Sequence, residues 1–505
     1  MYKLFSLILV FLLFLTACST PVELPDTLPE AEPNITAALV DDIENDDVSA
    51  DEILGLTFDD VLAIASNRRI CLVGVAEERL QELLTRIEPP EDLSDLTALR
   101  LPPENQQVFI TREEAIYDAA LLLELLRYGY GAYAYFGGDE VFLPMFERIK
   151  EVLSERETWR SEQVKQIFAN HLQTAIADNH SDILGRQMWI FYQFFVWETP
   201  FDLIDNRFYH RETGRYVTKI IGYDINDVFR LAMDEDGDFF YVPIFERYSN
   251  FIEPGIYDFT FTFDNGDEQI VTLNYHPPIF QLPEAPFLRW EDEIPVVGIQ
   301  QMEALSFNSA QDFLSFADML KDEPVIIIDV RSNMGGNRWL APFWLYSLTG
   351  EIVNRSYERF IPFEYFNWER CPACCFIGSG DLAHPEEYLE FIEEFRSEHI
   401  PGKITSNEQL IIMLIDRRVG SAGEIFADLI LGMENTLVIG QNTTGVCITS
   451  EAGTFYLPHS GAEIGIGMSL NVFPEGRFKE GRGIDPDVWV IGDALTAALA
   501  LLQAR

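Results

Sequence analysis

Positive charge is scarce in this chain. Lysine and arginine number 35 against 83 aspartates and glutamates, a formal net charge of −48 at pH 7. Phosphates are repelled by such a surface, so binding to nucleic acid by a general electrostatic route is excluded. The acidity reads as a solvated surface. Cysteine is scarce too, six in 505 residues. One C-x-x-C occurs, in CPACC at 371–375, with no second C-x-x-C or H-x-x-x-H to complete a tetrahedral metal site. Neither metal nor cofactor is implied. Internal repeats are missing, and the apolar run near the N-terminus, LFSLILVFLLFL, is too short to cross a bilayer comfortably. What the chain does have is 48% hydrophobic and 13% aromatic residues, the composition of a folded, well-cored protein. Its length predicts two to four domains.

The first residues form a targeting segment. MYK supplies one positive charge, the apolar run has signal-peptide length, and it ends in LTACS, Leu15 to Ser19. That ending resembles the lipobox of bacterial lipoproteins. The resemblance implies a signal peptide over 1–17 and lipid on Cys18. The protein would then be exported to the cell envelope and lipid-anchored to a bacterial membrane, where two or more acyl chains hold firmly. Residues 18–53 follow as an acidic, Pro-rich tether, with PVELPDTLPEAEP and DDIENDDVSADE. In an exported chain a disulfide within Cys371, Cys374 and Cys375 is a better reading than zinc. The five cysteines after Cys18 cannot all pair within one chain.

Three further segments are distinguished by periodicity. Residues 54–200 read as an N-terminal helical region. TREEAIYDAALLLELLRYGYGAY opens with a capping-box signal, Thr111 followed by Glu114, and continues with helical apolar spacing. Residues 205–290 read as a small β-rich module, with two alternating runs around Asn265-Gly266, a strong hairpin signal. Residues 291–505 alternate buried strands (EPVIIIDV, QLIIMLID, TLVIG) with helical stretches, which predicts an α/β core, a mixed sheet with flanking helices. Within it, 351–408 looks like an insertion.

Two stretches carry candidate chemistry. DRRVGSAGEIFA, 416–427, puts Ser421 where a buried strand hands over to a helix. Free N–H groups at such a helix start favour developing negative charge, so the Ala422 N–H could serve an oxyanion. Read alone, this stretch is better explained as a helix N-cap. The second is VIIIDVRSNMGGN, 325–337, a buried strand ending in Gly335 and Gly336, where backbone can approach a ligand closely.

Taken together these stretches resemble the tail-specific or C-terminal-processing serine proteases and their tricorn-core relatives. The matching positions are Asp329, Arg331, Asn333, Gly335 and Gly336; Ser421, Ala422 and Glu424; Gly440, Thr444 and Gly445; and Gly483, Pro486 and Asp487. The resemblance covers about residues 290–490. It implies a serine peptidase with Ser421 as nucleophile, acting on a peptide or protein substrate. The oxyanion hole would come from Ala422 and from Gly335 or Gly336. Many members use a lysine as the base; here TTGVCITS has Val446 at about that place. The tricorn-like branch uses histidine and glutamate instead. IADNHSDIL resembles its D-G-H-[ST] turn and implies His180 as general base. KEGRGIDPD resembles its late acidic motif and implies Glu480 as the carboxylate supporting the histidine. His459, in LPHSGAE, is the rival base.

By the same resemblance, residues 205–290 occupy the place of a PDZ-like segment, which would bind peptide as an added strand. A remodelled module fits the residues equally well. Two other functions stay open at this stage. One is a non-catalytic peptide-binding lipoprotein on a peptidase scaffold, motivated by the missing lysine. The other is an esterase or related acyl transferase using the same serine.

Overall fold

The computed structural model describes residues 56–504, apart from 361–402 and short breaks at 72–76, 85–86, 88–95, 105, 184–185, 188–189, 250–254, 276, 278–284, 303–306 and 354–356. The signal peptide, Cys18, the tether, Cys371, Cys374, Cys375 and most of the 351–408 insertion lie outside the described residues.

The architecture is mixed α/β. Six strands run parallel through its centre in the order Phe229–Met233, Val488–Val490, Thr436–Gly440, Leu410–Ile415, Val325–Asp329, Ile294–Gly298. Their side chains alternate between two cores, as a strand's period of two requires. Ile326, Ile328, Ile411, Met413 and Ile415 face one core, with the helices Phe307–Leu320, Leu340–Thr349 and Ala422–Leu431. Ile327, Leu410, Ile412 and Leu414 face the other, with Phe58–Cys71 and Ala494–Gln503. Burial on both faces is why these strands read as unbroken apolar runs.

The capping box at Thr111 is present: Thr111 Oγ1 accepts from the Glu114 N–H and the Glu114 carboxylate accepts from the Thr111 N–H. The helix Arg112–Gly129 packs with Gly138–Leu153 and Ser161–Leu172 around Leu122, Phe142 and Phe168. This cluster also includes Ile464 and Leu470 of the antiparallel hairpin Thr449–Tyr456 and Glu463–Val472. Helix ends earlier than the periodicity predicts. Phe191–Val196 is a strand paired with Phe239–Ser249, because an aromatic run suits a pleated, half-buried surface.

The β-rich stretch supplies the predicted hairpin, Ile256–Phe263 with Glu268–Asn274. It does not close on itself. Phe229–Met233 pairs in parallel with Val488–Val490, so its strands join the central sheet, which has fourteen strands among the described residues. Its described helix is the four-residue Ile225–Val228, and Phe229–Met233 directly after it is a fully buried strand of the sheet.

Parallel strands end on the same edge, and that places the chemistry. The loops after Val325–Asp329, Leu410–Ile415 and Thr436–Gly440 lie side by side at their carboxyl ends, the usual place for ligand sites in α/β sheets.

Candidate active site

Ser421 sits between Leu410–Ile415 and the helix Ala422–Leu431, at φ 51°, ψ −119°. A non-glycine residue there costs about 1–3 kcal/mol and persists only when its surroundings fix it. They do. The Ser421 N–H donates to Val446 O at 3.1 Å and to Glu424 Oε2 at 3.1 Å, and the helix behind is buried throughout. The N-cap reading is half right: Ser421 occupies the N-cap position, but its hydroxyl makes no cap hydrogen bond. Its Oγ lies 3.0 Å from His180 Nε2.

The histidine comes from a turn that follows the helical region and is tied on every side. His180 N–H donates to Asp178 Oδ1 at 2.9 Å. Asn179 donates its N–H to Glu480 Oε1 at 2.8 Å and its side-chain NH₂ to Gly445 O at 2.8 Å. The next strand, Asp182–Ile183, pairs with Glu463–Val472. Burial lowers the His180 pKa, and the Asp178 charge pulls it partly back. A base held neutral works at lower pH. The acid limb of kcat/KM is therefore expected below 6.5, about the ordinary histidine value. A pH–rate profile checks this; an acid limb above 6.5 contradicts it.

Glu480 lies beside this turn but makes no hydrogen bond to the imidazole among the described residues. Its carboxylate accepts from the N–H groups of Asn179, Cys447 and Ile448, at 2.8, 3.2 and 2.9 Å. His180 Nδ1 is buried and makes no hydrogen bond among the described residues. The direct His180–Glu480 pairing implied by the resemblance is thus corrected: the three amides fill the carboxylate, so it fixes the loops on either side of the histidine. Burial, then the Asp178 charge, raise the Glu480 pKa well above the carboxylate range.

Glu424 is a second buried hub. It accepts from Thr443 Oγ1 at 2.5 Å, Gly445 N at 2.7 Å and Val446 N at 2.8 Å, besides Ser421 N. Burial pushes its pKa up to about 7, against the pull of those four bonds. Val446 thus serves through its backbone, holding Ser421 from one side and Glu424 from the other.

The glycine loop lies against the serine. A Cβ built on Gly335 would fall 2.7 Å from Ser421 Cβ and 2.8 Å from Ala422 N. Of the two candidate glycine donors, Gly335 is ruled out in this arrangement, because its N–H is already given to Asn333 Oδ1 at 2.8 Å. The N–H groups of Ala422 and Gly336 donate no hydrogen bond among the described residues. Asn333 also donates to Ile299 O at 2.7 Å and accepts the Gly420 N–H at its carbonyl. Asn333→Ala would orphan two buried backbone groups. A loss of about 1–3 kcal/mol for each is expected in urea unfolding; an unchanged midpoint contradicts this role.

The remaining motif residues brace the frame. Arg331 pairs with Asp329 and with Asp493 at the C-terminal helix. Thr444 Oγ1 donates to Arg417 O, and Asp487 accepts the Val438 N–H. Gly440 takes φ +128° with Ile415 O too close to admit a Cβ. His459 is elsewhere, edge-on to Tyr117 and 3.6 Å from Glu114. In the sequence Asp178 stands out only as part of the histidine turn. Its four side-chain and backbone donors come from positions as distant as Tyr130 and Thr449, which no local pattern signals.

The α/β core and its matched segment make this protein a serine-type peptidase. More particularly, residues 293–490 match the family model for peptidase family S41, so the chain carries an S41 domain there. Comparison with curated proteins gives no match. Among solved structures, mature CPAF is similar at 14% identity, over 78% of this chain and 96% of that one, with a TM-score of 0.39. The photosystem II D1 C-terminal processing protease is similar at 11%, over 78% and 97%, TM-score 0.38. A lipoprotein from Streptococcus agalactiae is similar at 14%, over 77% and 96%, TM-score 0.37.

Proposed function

We propose that the protein hydrolyses peptide bonds of exported polypeptides through an acyl-enzyme on Ser421. The observation that carries this is the 3.0 Å approach of His180 Nε2 to Ser421 Oγ at a strained strand-to-helix turn. Neutral His180 takes the hydroxyl proton as Ser421 Oγ bonds to the scissile carbonyl carbon. The carbonyl oxygen, now negative, is received by the N–H groups of Ala422 and Gly336, each worth about 2.7–4 kcal/mol in the transition state. His180 then gives the proton to the leaving amine, and water reverses the sequence to free the acid. Glu480 supports the histidine by holding Asn179, its chain neighbour.

Export and lipid anchoring at Cys18 belong to the same proposal and are supported by the sequence of residues 1–19. The test is digestion of an unfolded protein, with mass analysis of the Ser421 peptide after rapid acid quench. An acyl adduct on Ser421, absent in His180→Ala, is expected. Peptide binding with no hydrolysis would favour the scaffold-only reading, and turnover of esters alone would favour the acyl transferase.

A further inference from the structure

Three buried carboxylates surround the serine and histidine: Asp178, Glu424 and Glu480. Two have evident structural work. Glu424 joins the serine turn to residues 443–446, and Glu480 joins the histidine turn to 447–448. Asp178 differs in its partners. Its Oδ1 accepts from the His180 N–H at 2.9 Å, and its Oδ2 from Tyr130 OH and Ser181 Oγ, each at 2.8 Å. Thr449 Oγ1 lies 3.1 Å from Oδ1 and 2.9 Å from Oδ2. Every one of these donors is neutral. Among the described residues no arginine or lysine forms an ion pair with Asp178. Its charge is solvated by dipoles and left uncompensated two residues before the base.

We propose that Asp178 is a positioning residue that acts as the counter-charge of His180, stabilising the imidazolium through space while Glu480 holds the backbone. This rests on the reading of His180 as the base. Charge–charge attraction weakens only as the inverse of distance and is strong where water is excluded. A hydrogen bond to Nδ1 is therefore not required, in keeping with an Nδ1 that has no partner among the described residues. The arrangement separates two tasks that a triad carboxylate usually combines, orientation and charge stabilisation. The titratable groups of other elements bonded to Asp178, Asn179 or Ser421 are Tyr130, the residue after Arg112–Gly129, Glu480, and Glu424 of Ala422–Leu431. Asp178 is the one whose charge bears on the imidazole.

The test reads the imidazole directly and needs no turnover. The full chain is labelled with ¹³C-histidine, and the His180 resonance is identified by its loss in His180→Gln. Asp178→Asn is expected to move the His180 titration midpoint to lower pH. Tyr130→Phe keeps the charge and removes a dipole that offsets it, so it is expected to move the midpoint up. An unchanged midpoint in Asp178→Asn overturns the proposal, as does movement in the same direction in both variants. If Asp178→Asn does not fold, Tyr130→Phe decides alone: a rise supports the counter-charge, while no shift or a fall overturns it. In turnover, Asp178→Asn should lower kcat with KM near the wild-type value and carry the acid limb to lower pH. A wild type that forms no adduct at Ser421 yet shows these midpoint shifts would sink the peptidase reading and leave the counter-charge standing.

Discussion

Ser421→Ala is expected to remove peptide hydrolysis by on the order of 10⁶-fold while the protein folds as before. Both halves follow from the local structure. Among the described residues the Ser421 side chain makes one hydrogen bond, to His180. Everything that holds the turn uses its backbone: N–H to Val446 O and Glu424, carbonyl to the first N–H groups of the helix. Alanine keeps those bonds and the same backbone strain, so unfolding free energy should change by less than about 1 kcal/mol. Residual hydrolysis near the wild-type rate would place the nucleophile elsewhere. Loss of the fold would mean that the hydroxyl, not the backbone, secures the turn.

Gly335→Ala is expected to damage catalysis and stability together, for one geometric reason. Gly335 takes φ +102°, where an L side chain is strained by about 1–3 kcal/mol. The new methyl would also stand 2.8 Å from Ala422 N and 2.7 Å from Ser421 Cβ. That is the space a substrate oxygen must enter to meet the Ala422 N–H. A fall in kcat of about 10²–10³-fold, the size of one lost oxyanion donor, is expected beside a lowered urea midpoint. Stability lost with kcat preserved would show that the oxyanion is received on another side of the serine.

Much of the fold was legible in the sequence. VIIID, LIIMLI and TLVIG read as buried strands because both faces of each are covered, and the helix after Ser421 shows its apolar face in Ala422, Ile425, Phe426 and Leu429. The capping box at Thr111 and the turn at Asn265-Gly266 were legible because their chemistry is local. The joining of Phe229–Met233 to Val488–Val490 was not, since a strand's sequence does not name a partner some 250 residues away. That long-range pairing is what turned a suspected separate module into an extension of the central sheet.

The candidate site divides in the same way. Ser421 and His180 stood out through short motifs, and the fold brings them to hydrogen-bonding distance. What Glu480 binds was not legible. A carboxylate can serve an imidazole or several amides, and the choice depends on how the loops at 179 and 447–448 converge on it. The spent N–H of Gly335 was equally hidden, because it depends on the side-chain rotamer of Asn333. Asp178 lacked any signal of its own beyond its place before the histidine.

The central claim is that His180 activates Ser421. It is tested most directly by the rate of covalent labelling with a fluorophosphonate across pH 4 to 9, for the wild type and His180→Ala. The account predicts labelling at Ser421 that rises through a single acid limb below 6.5 in the wild type, and falls to the background rate in His180→Ala at every pH. Equal labelling of the two proteins, or labelling at another serine, would contradict it.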